Sequence, residues 1–124
     1  MMKKLKIAFW ISTVLLCIIP LFSASMYFTK YEMIAGFFEL LGYPTYIIYP
    51  LAILKIIAVI VLLINKGIRL KEWVYAGLFF NFTLAFFAHV MINDGAQGTA
   101  LIGLLLLAST YILNRFIDKK KFNI

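Results

Sequence analysis

Two apolar runs stand back to back between Tyr46 and Met91, and they limit what the chain can fold into more than any other feature. With Thr45 ahead of it, the segment reads TYIIYPLAILKIIAVIVLLI, then NKGIRLKE, then WVYAGLFFNFTLAFFAHVM. Each run approaches the roughly 20 residues that cross a hydrocarbon layer about 30 Å thick. At 124 residues, 65% hydrophobic and 14% charged, the chain has too little polar surface to coat a water-soluble body of its size. The runs therefore face lipid, where every backbone N–H and C=O must be satisfied within the segment, and that requires helices.

Two more runs complete the pattern. Residues 7–28 follow Met-Met-Lys-Lys-Leu-Lys and outlast the apolar core of a signal peptide, about 7–15 residues, so a retained helix is expected. Pro20 is tolerated in such a helix. Residues 99–117 precede Asp118-Lys119-Lys120-Lys121. The expected fold is all-α: a transmembrane four-helix bundle forming one integral membrane domain over 1–124, with spans at 7–28, 46–64, 73–92 and 99–117. Glu72 and Trp73 are expected to open the third span, an acid at a helix N-terminus beside an interfacial aromatic.

Residues 30–42 read differently. Thr29 and Glu32 have capping-box spacing. Ile34, Phe37, Phe38 and Leu41 share one helical face, with Glu32 and Glu39 away from its centre. Gly42 suits a C-cap, and Pro44 prevents continuation. This predicts a short amphipathic helix lying in the membrane interface.

The net charge of +7 does not indicate nucleic acid, because the basic residues gather between the apolar runs instead of forming a patch. They report topology. Ten Lys and Arg residues lie at the N-terminus, the 65–72 turn and the C-terminal end, against Lys30 alone on the other side. The positive-inside rule then places both termini in the cytoplasm, N-in and C-in, with the protein in the cell (inner) membrane. The single cysteine, Cys17, excludes an intrachain disulfide and behaves as a small hydrophobe.

Membrane helices pack through small and polar residues. Such stripes are Ser12, Leu16, Ile19 and Ser23 in the first span, and Ala52, Lys55 and Ala58 in the second. The third offers Gly77, Asn81, Ala85 and Ala88, with Phe79, Phe86 and Val90 opposite. The fourth offers Thr99, Gly103, Thr110 and Asn114. Lys55 stands out, since a Lys in mid-span costs on the order of 2.5–3.5 kcal/mol and needs a polar partner. By depth, Asn81 on the neighbouring helix is the expected one. His89, Asp94 and Glu39 lie nearer the same outer edge. The candidate ligand-binding cluster is therefore Lys55, Asn81, His89, Glu39 and Asp94. No nucleophile with a base, no phosphate loop and no metal-ligand set accompanies it, so a non-catalytic role is expected.

Four pieces, GYPTYI (42–47), ILKIIAVIVLL (53–63), LKEWVYAG (70–77) and AHVMINDG (88–95), resemble the DoxX-like family of small bacterial proteins with four transmembrane helices. The resemblance covers about 22–95. Relatives often carry SGxxK in the first helix, where this chain has SASMYF, and Ser before the His, where it has Ala88. The family's name comes from a subunit of a quinone-linked oxidase complex. The resemblance thus implies an accessory subunit in membrane redox metabolism, with quinone as the candidate cofactor and a membrane redox enzyme, or a second copy, as the protein partner within the lipid bilayer. A small transporter or channel subunit, and an assembly factor with no ligand, are the alternatives.

Overall fold

The computed structural model describes residues 2–93 and 95–122, with side chains through Lys119. Five α-helices follow one another: α1 (Met2–Thr29), α2 (Tyr31–Leu41), α3 (Ile48–Ile64), α4 (Ile68–Ile92) and α5 (Gln97–Phe122), with a single 3-10 turn at Thr45–Ile47 leading into α3. No strand occurs among the described residues. Four segments are long and apolar enough to cross a membrane: Met2–Thr29, Thr45–Ile64, Ile68–Ile92 and Gln97–Lys119.

The four long helices form a ring in the order α1, α3, α4, α5, closed by α1 against α5. The α3–α4 seam is the slightest of the four. Each helix turns one stripe inward: Phe9, Ser12, Thr13, Leu16, Cys17, Pro20 and Ala24 from α1, and Ile48, Ala52, Lys55, Val59 and Leu62 from α3. α5 contributes Ala100, Gly103, Leu107, Thr110 and Asn114. The outer surface carries Ile11, Leu15, Ile18, Phe22, Ile53, Ile57, Phe80, Leu84, Ile102 and Leu105, all exposed and suited to acyl chains.

Polar contacts between α1 and α5 are short and internally satisfied. Ser12 Oγ and Thr110 Oγ1 are 2.6 Å apart, and the Thr110 hydroxyl also lies 2.8 Å from its own helix's Leu106 carbonyl. Interhelical hydrogen bonds of this kind contribute about 0.6 kcal/mol each.

α4 departs from the expected stripe. Gly77 is exposed, while Lys71, Tyr75, Leu78 and Phe82 face the interior, with Ala85 and His89 half-buried on the same line. The reason lies on α5. A Cβ at Gly103 would stand 2.7 Å from Phe82 Cε1, so the missing side chain is the seat of the Phe82 ring. Close approach here comes from one glycine receiving a ring, not from small residues on α4. Phe79 and Val90 are exposed as expected, and Phe86 is half-buried.

Two helix starts also differ from expectation. Thr29 does not cap α2: it ends α1, and its hydroxyl donates to the Ser25 carbonyl at 2.8 Å. Lys30 is the residue at which the chain breaks, with no side-chain cap. α4 begins at Ile68, several residues before Trp73, because Gly67 turns the chain at φ +80° and α4 continues unbroken through the basic turn. Lys71 is therefore a helical residue on an inward face, and Glu72 is not at the helix N-terminus. The far end of α2 agrees with expectation. Gly42 adopts φ +78°, and the amides of Gly42 and Tyr43 close onto the Glu39 and Phe38 carbonyls. Ile34 is buried, Phe37, Phe38 and Leu41 are half-buried, and Glu32 and Glu39 are exposed.

Candidate functional site

Lys55 lies on the inward face of α3, between Ala52 and Val59, and is 8% exposed. Its long stem runs over apolar neighbours and its ammonium reaches α1, not α4. Nζ donates to Ser23 Oγ at 2.6 Å and sits 4.1 Å from the centroid of the Tyr27 ring. One helical turn separates Ser23 from Tyr27, so a hydroxyl and a ring face lie on the same side of α1 and meet the ammonium together. Lys55 forms no ion pair among the described residues. An ammonium carries three N–H donors. Here one hydroxyl and one ring face meet them.

Aromatic rings surround this end of the bundle. Tyr27 meets Phe38 of α2 edge-on at 6.0 Å, and Phe38 meets Tyr43 at 6.2 Å. Phe28 and Tyr31 both stack on Tyr49 at the start of α3, at 5.5 and 5.0 Å. These contacts tie α1, α2 and α3 together above Lys55. They hold α2 against the bundle by its Phe38 side and leave Glu39 facing outward.

The remaining expected site residues are distributed around this point. Asn81 is half-buried on α4 and makes no hydrogen bond to Lys55; the ammonium is taken up by Ser23 instead. His89 is half-buried near the end of α4. Glu39 is exposed on α2, which leans on both α1 and α4. Asp94 lies outside the described residues. The structure thus places Lys55 and half-buried Asn81 and His89 on two adjacent helices, and supplies two partners from a third. Ser23 had a legible signal, since it lies on the polar stripe of the first span. Tyr27 had none that separated it from an interfacial aromatic.

A second buried lysine was not legible as one. Lys71 is 5% exposed. Its Nζ donates to Asn65 Oδ1 at 2.6 Å and to Asn114 Oδ1 at 2.9 Å, with the Phe9 ring centroid at 5.9 Å. It belongs to the opposite end of the bundle from Lys55, where α1 begins, α3 passes into α4, and α5 ends. Nearby, Arg115 and Glu72 form an exposed ion pair at 3.7 Å. The available signal was periodicity: Lys71, Tyr75, Leu78 and Phe82 repeat at i, i+4, i+7 and i+11, so the stripe of α4 runs back through the supposed loop.

Among the described residues no group of three or more His, Cys, Asp or Glu could hold a metal ion. A model of the DoxX-like family matches residues 11–112. No curated protein and no solved structure matches the chain.

Proposed function

The chain belongs to the DoxX-like family and is a multi-pass membrane protein, and from that premise we propose that it serves as an accessory subunit in membrane redox or quinone-linked metabolism, with Lys55 as the residue that engages a ligand. The observation that carries the reading is the ammonium itself. Lys55 is withdrawn from solvent, has Ser23 as its hydrogen-bond acceptor, and has no carboxylate in ion-pair distance among the described residues. A charge held in hydrocarbon with so little compensation retains donor capacity for a carbonyl or anionic oxygen. Tyr27 beside it, with Phe38 edge-on to that ring, offers apolar aromatic surface of the kind a quinone ring packs against. Asn81 and His89 are the polar groups of α4 that such a ligand would meet next, with Glu39 exposed on α2.

The same reading places both termini in the cytoplasm, α2 in the outer interface, and the protein in the cell membrane. The excess of Lys and Arg at the Lys71 end supports this orientation. The α2 face fits it too: an apolar side toward the bundle and exposed acids on the other.

The test is direct. Purified protein titrated with a short-chain quinone should shift the quinone absorbance with a saturable isotherm, and Lys55→Met should abolish the shift while leaving the helical content unchanged. An unchanged isotherm in Lys55→Met would remove the site.

A further inference from the structure

The Lys71 end of the bundle contains a cleft of about 390 Å³, lined among others by Lys6, Trp10, Asn65, Lys71, Asn114 and Asp118. The geometry points to this cleft as a binding site for a phosphate group, with the head group of an anionic phospholipid as its source.

An ammonium only donates, so the atoms that face it must be the amide oxygens, and Asn65 and Asn114 are oriented by that requirement. Their Nδ2 groups consequently point away from Lys71. Among the described residues neither Nδ2 makes a side-chain hydrogen bond, and Asn114 sits in the wall of the cleft. The lysine is thus a charge at the back of the site that holds two neutral donors in place at the front. Whatever else Lys71 touches, it need not contact the anion itself. Lys6 adds an exposed cation at the rim. Asp118 is the single acid among the described residues that line the cleft. It repels a bare phosphate but accepts hydrogen bonds, so it favours a phosphate whose ester carries hydroxyl groups, as a glycerol head does.

Position selects the lipid. The cleft lies where α1 begins, where the α3–α4 turn passes, and where α5 ends. Trp10 is in its wall, and Trp73, 78% exposed, is on the neighbouring turn of α4. Tryptophans at helix ends mark the head-group level, where phosphate groups are concentrated whatever the soluble pool contains. Basic pockets between helices at that level are suited to anionic head groups.

The experiment uses the full chain in nanodiscs of dioleoyl-phosphatidylcholine with and without dioleoyl-phosphatidylglycerol, reading thermal stability and the lipid retained in native mass spectra. The anionic lipid should raise the melting temperature and co-purify. Asn114→Asp keeps an oxygen for Lys71 and replaces the NH₂ with a negative acceptor. It should remain folded in phosphatidylcholine, with equal or higher melting temperature, and lose both the protection and the retained lipid. Lys6→Gln should weaken retention roughly fivefold, the effect of one cation at the head-group surface. Lys66→Gln, which is outside the cleft, should weaken it by less than about twofold, as screening allows. Full protection in Asn114→Asp, or equal losses in Lys6→Gln and Lys66→Gln, would overturn the site in favour of diffuse surface charge. Protection by inorganic phosphate alone, with none from the lipid, would retain the phosphate site and overturn the lipid as its source.

Discussion

Among the described residues the bundle buries one lysine at mid-span of α3 and one near the start of α4, and the two are compensated in different ways. Lys71 is met by two amide oxygens, one from the α3–α4 turn and one from α5, so it joins three parts of the chain. Lys55 is met by one hydroxyl and one ring, both on α1. An amide oxygen held in place by its own backbone is a strong acceptor that has no better alternative nearby. A serine hydroxyl accepts from the lysine while its own proton can still bond the carbonyl one turn earlier, so it keeps a partner even when the lysine is gone. The difference separates a charge that the fold has absorbed from a charge that the fold tolerates. Lys71 belongs to the architecture, and Lys55 is the charge that the proposed ligand would meet.

The largest effect should come from breaking the absorbed charge. Lys71→Met leaves the buried Asn114 and half-buried Asn65 amide oxygens without their donor and should cost about 2–4 kcal/mol, read as loss of stability in a denaturant titration in mixed micelles. If Lys71→Met proves neutral, the two lysines are alike and the contrast fails. Next comes the seat between α4 and α5. Gly103→Val drives a branched side chain into the Phe82 ring, and should cost about 1–3 kcal/mol by overpacking. Phe82→Ala in the same background should recover part of that loss, which a double-mutant cycle would measure.

A smaller effect is expected at the satisfied contact between α1 and α5. Ser12→Ala removes the hydrogen bond to Thr110 and the longer one, 3.4 Å, to the Leu106 carbonyl, while Thr110 keeps that carbonyl, and should cost about 0.6–1 kcal/mol in the same titration. The smallest should be Lys55→Met without ligand. Ser23 can turn to its own helix and the buried charge disappears, so stability should change by less than about 1 kcal/mol, in either direction. A loss as large as that of Lys71→Met would show that Lys55 is structural, and would sharpen the comparison against the proposed ligand role.

Much of this arrangement was legible in the chain before any coordinates. The four spans, Gly42 as a C-cap, the apolar face of Ile34, Phe37, Phe38 and Leu41, and the inward stripes of α1, α3 and most of α5 follow from spacing alone. The α4 stripe and the start of α4 did not. Around an α-helix each residue advances about 100°, since 3.6 residues complete a turn. Placing the start of α4 at Trp73 left Lys71 off the helix altogether, and so hid its inward direction. The bias toward small residues at membrane interfaces misled for a related reason. It reads one helix at a time, whereas Gly103 makes room for a residue on another.

The site was legible in half. Lys55 was identified by its cost in hydrocarbon, and Ser23 and Asn114 by the stripes that carry them. The pairing was not, because Asn81 and Ser23 are both polar residues on stripes facing the second span, and depth alone favoured Asn81. Which neighbour receives the ammonium depends on how closely α1 and α4 approach α3, and α1 comes closer.

By itself the amino-acid order determined that the chain lives in a bilayer as four helices, each with one side turned inward. Those properties follow from segment length, backbone self-sufficiency and the repeat of side chains along a single helix. Tertiary structure alone decided that Lys55 answers to α1, that Lys71 is a buried charge holding two amides in place, and that a phenyl ring on α4 sits where α5 has no side chain. Each of those contacts joins residues from separate segments of the chain, and only the packing of rods against one another chooses among partners that are chemically alike.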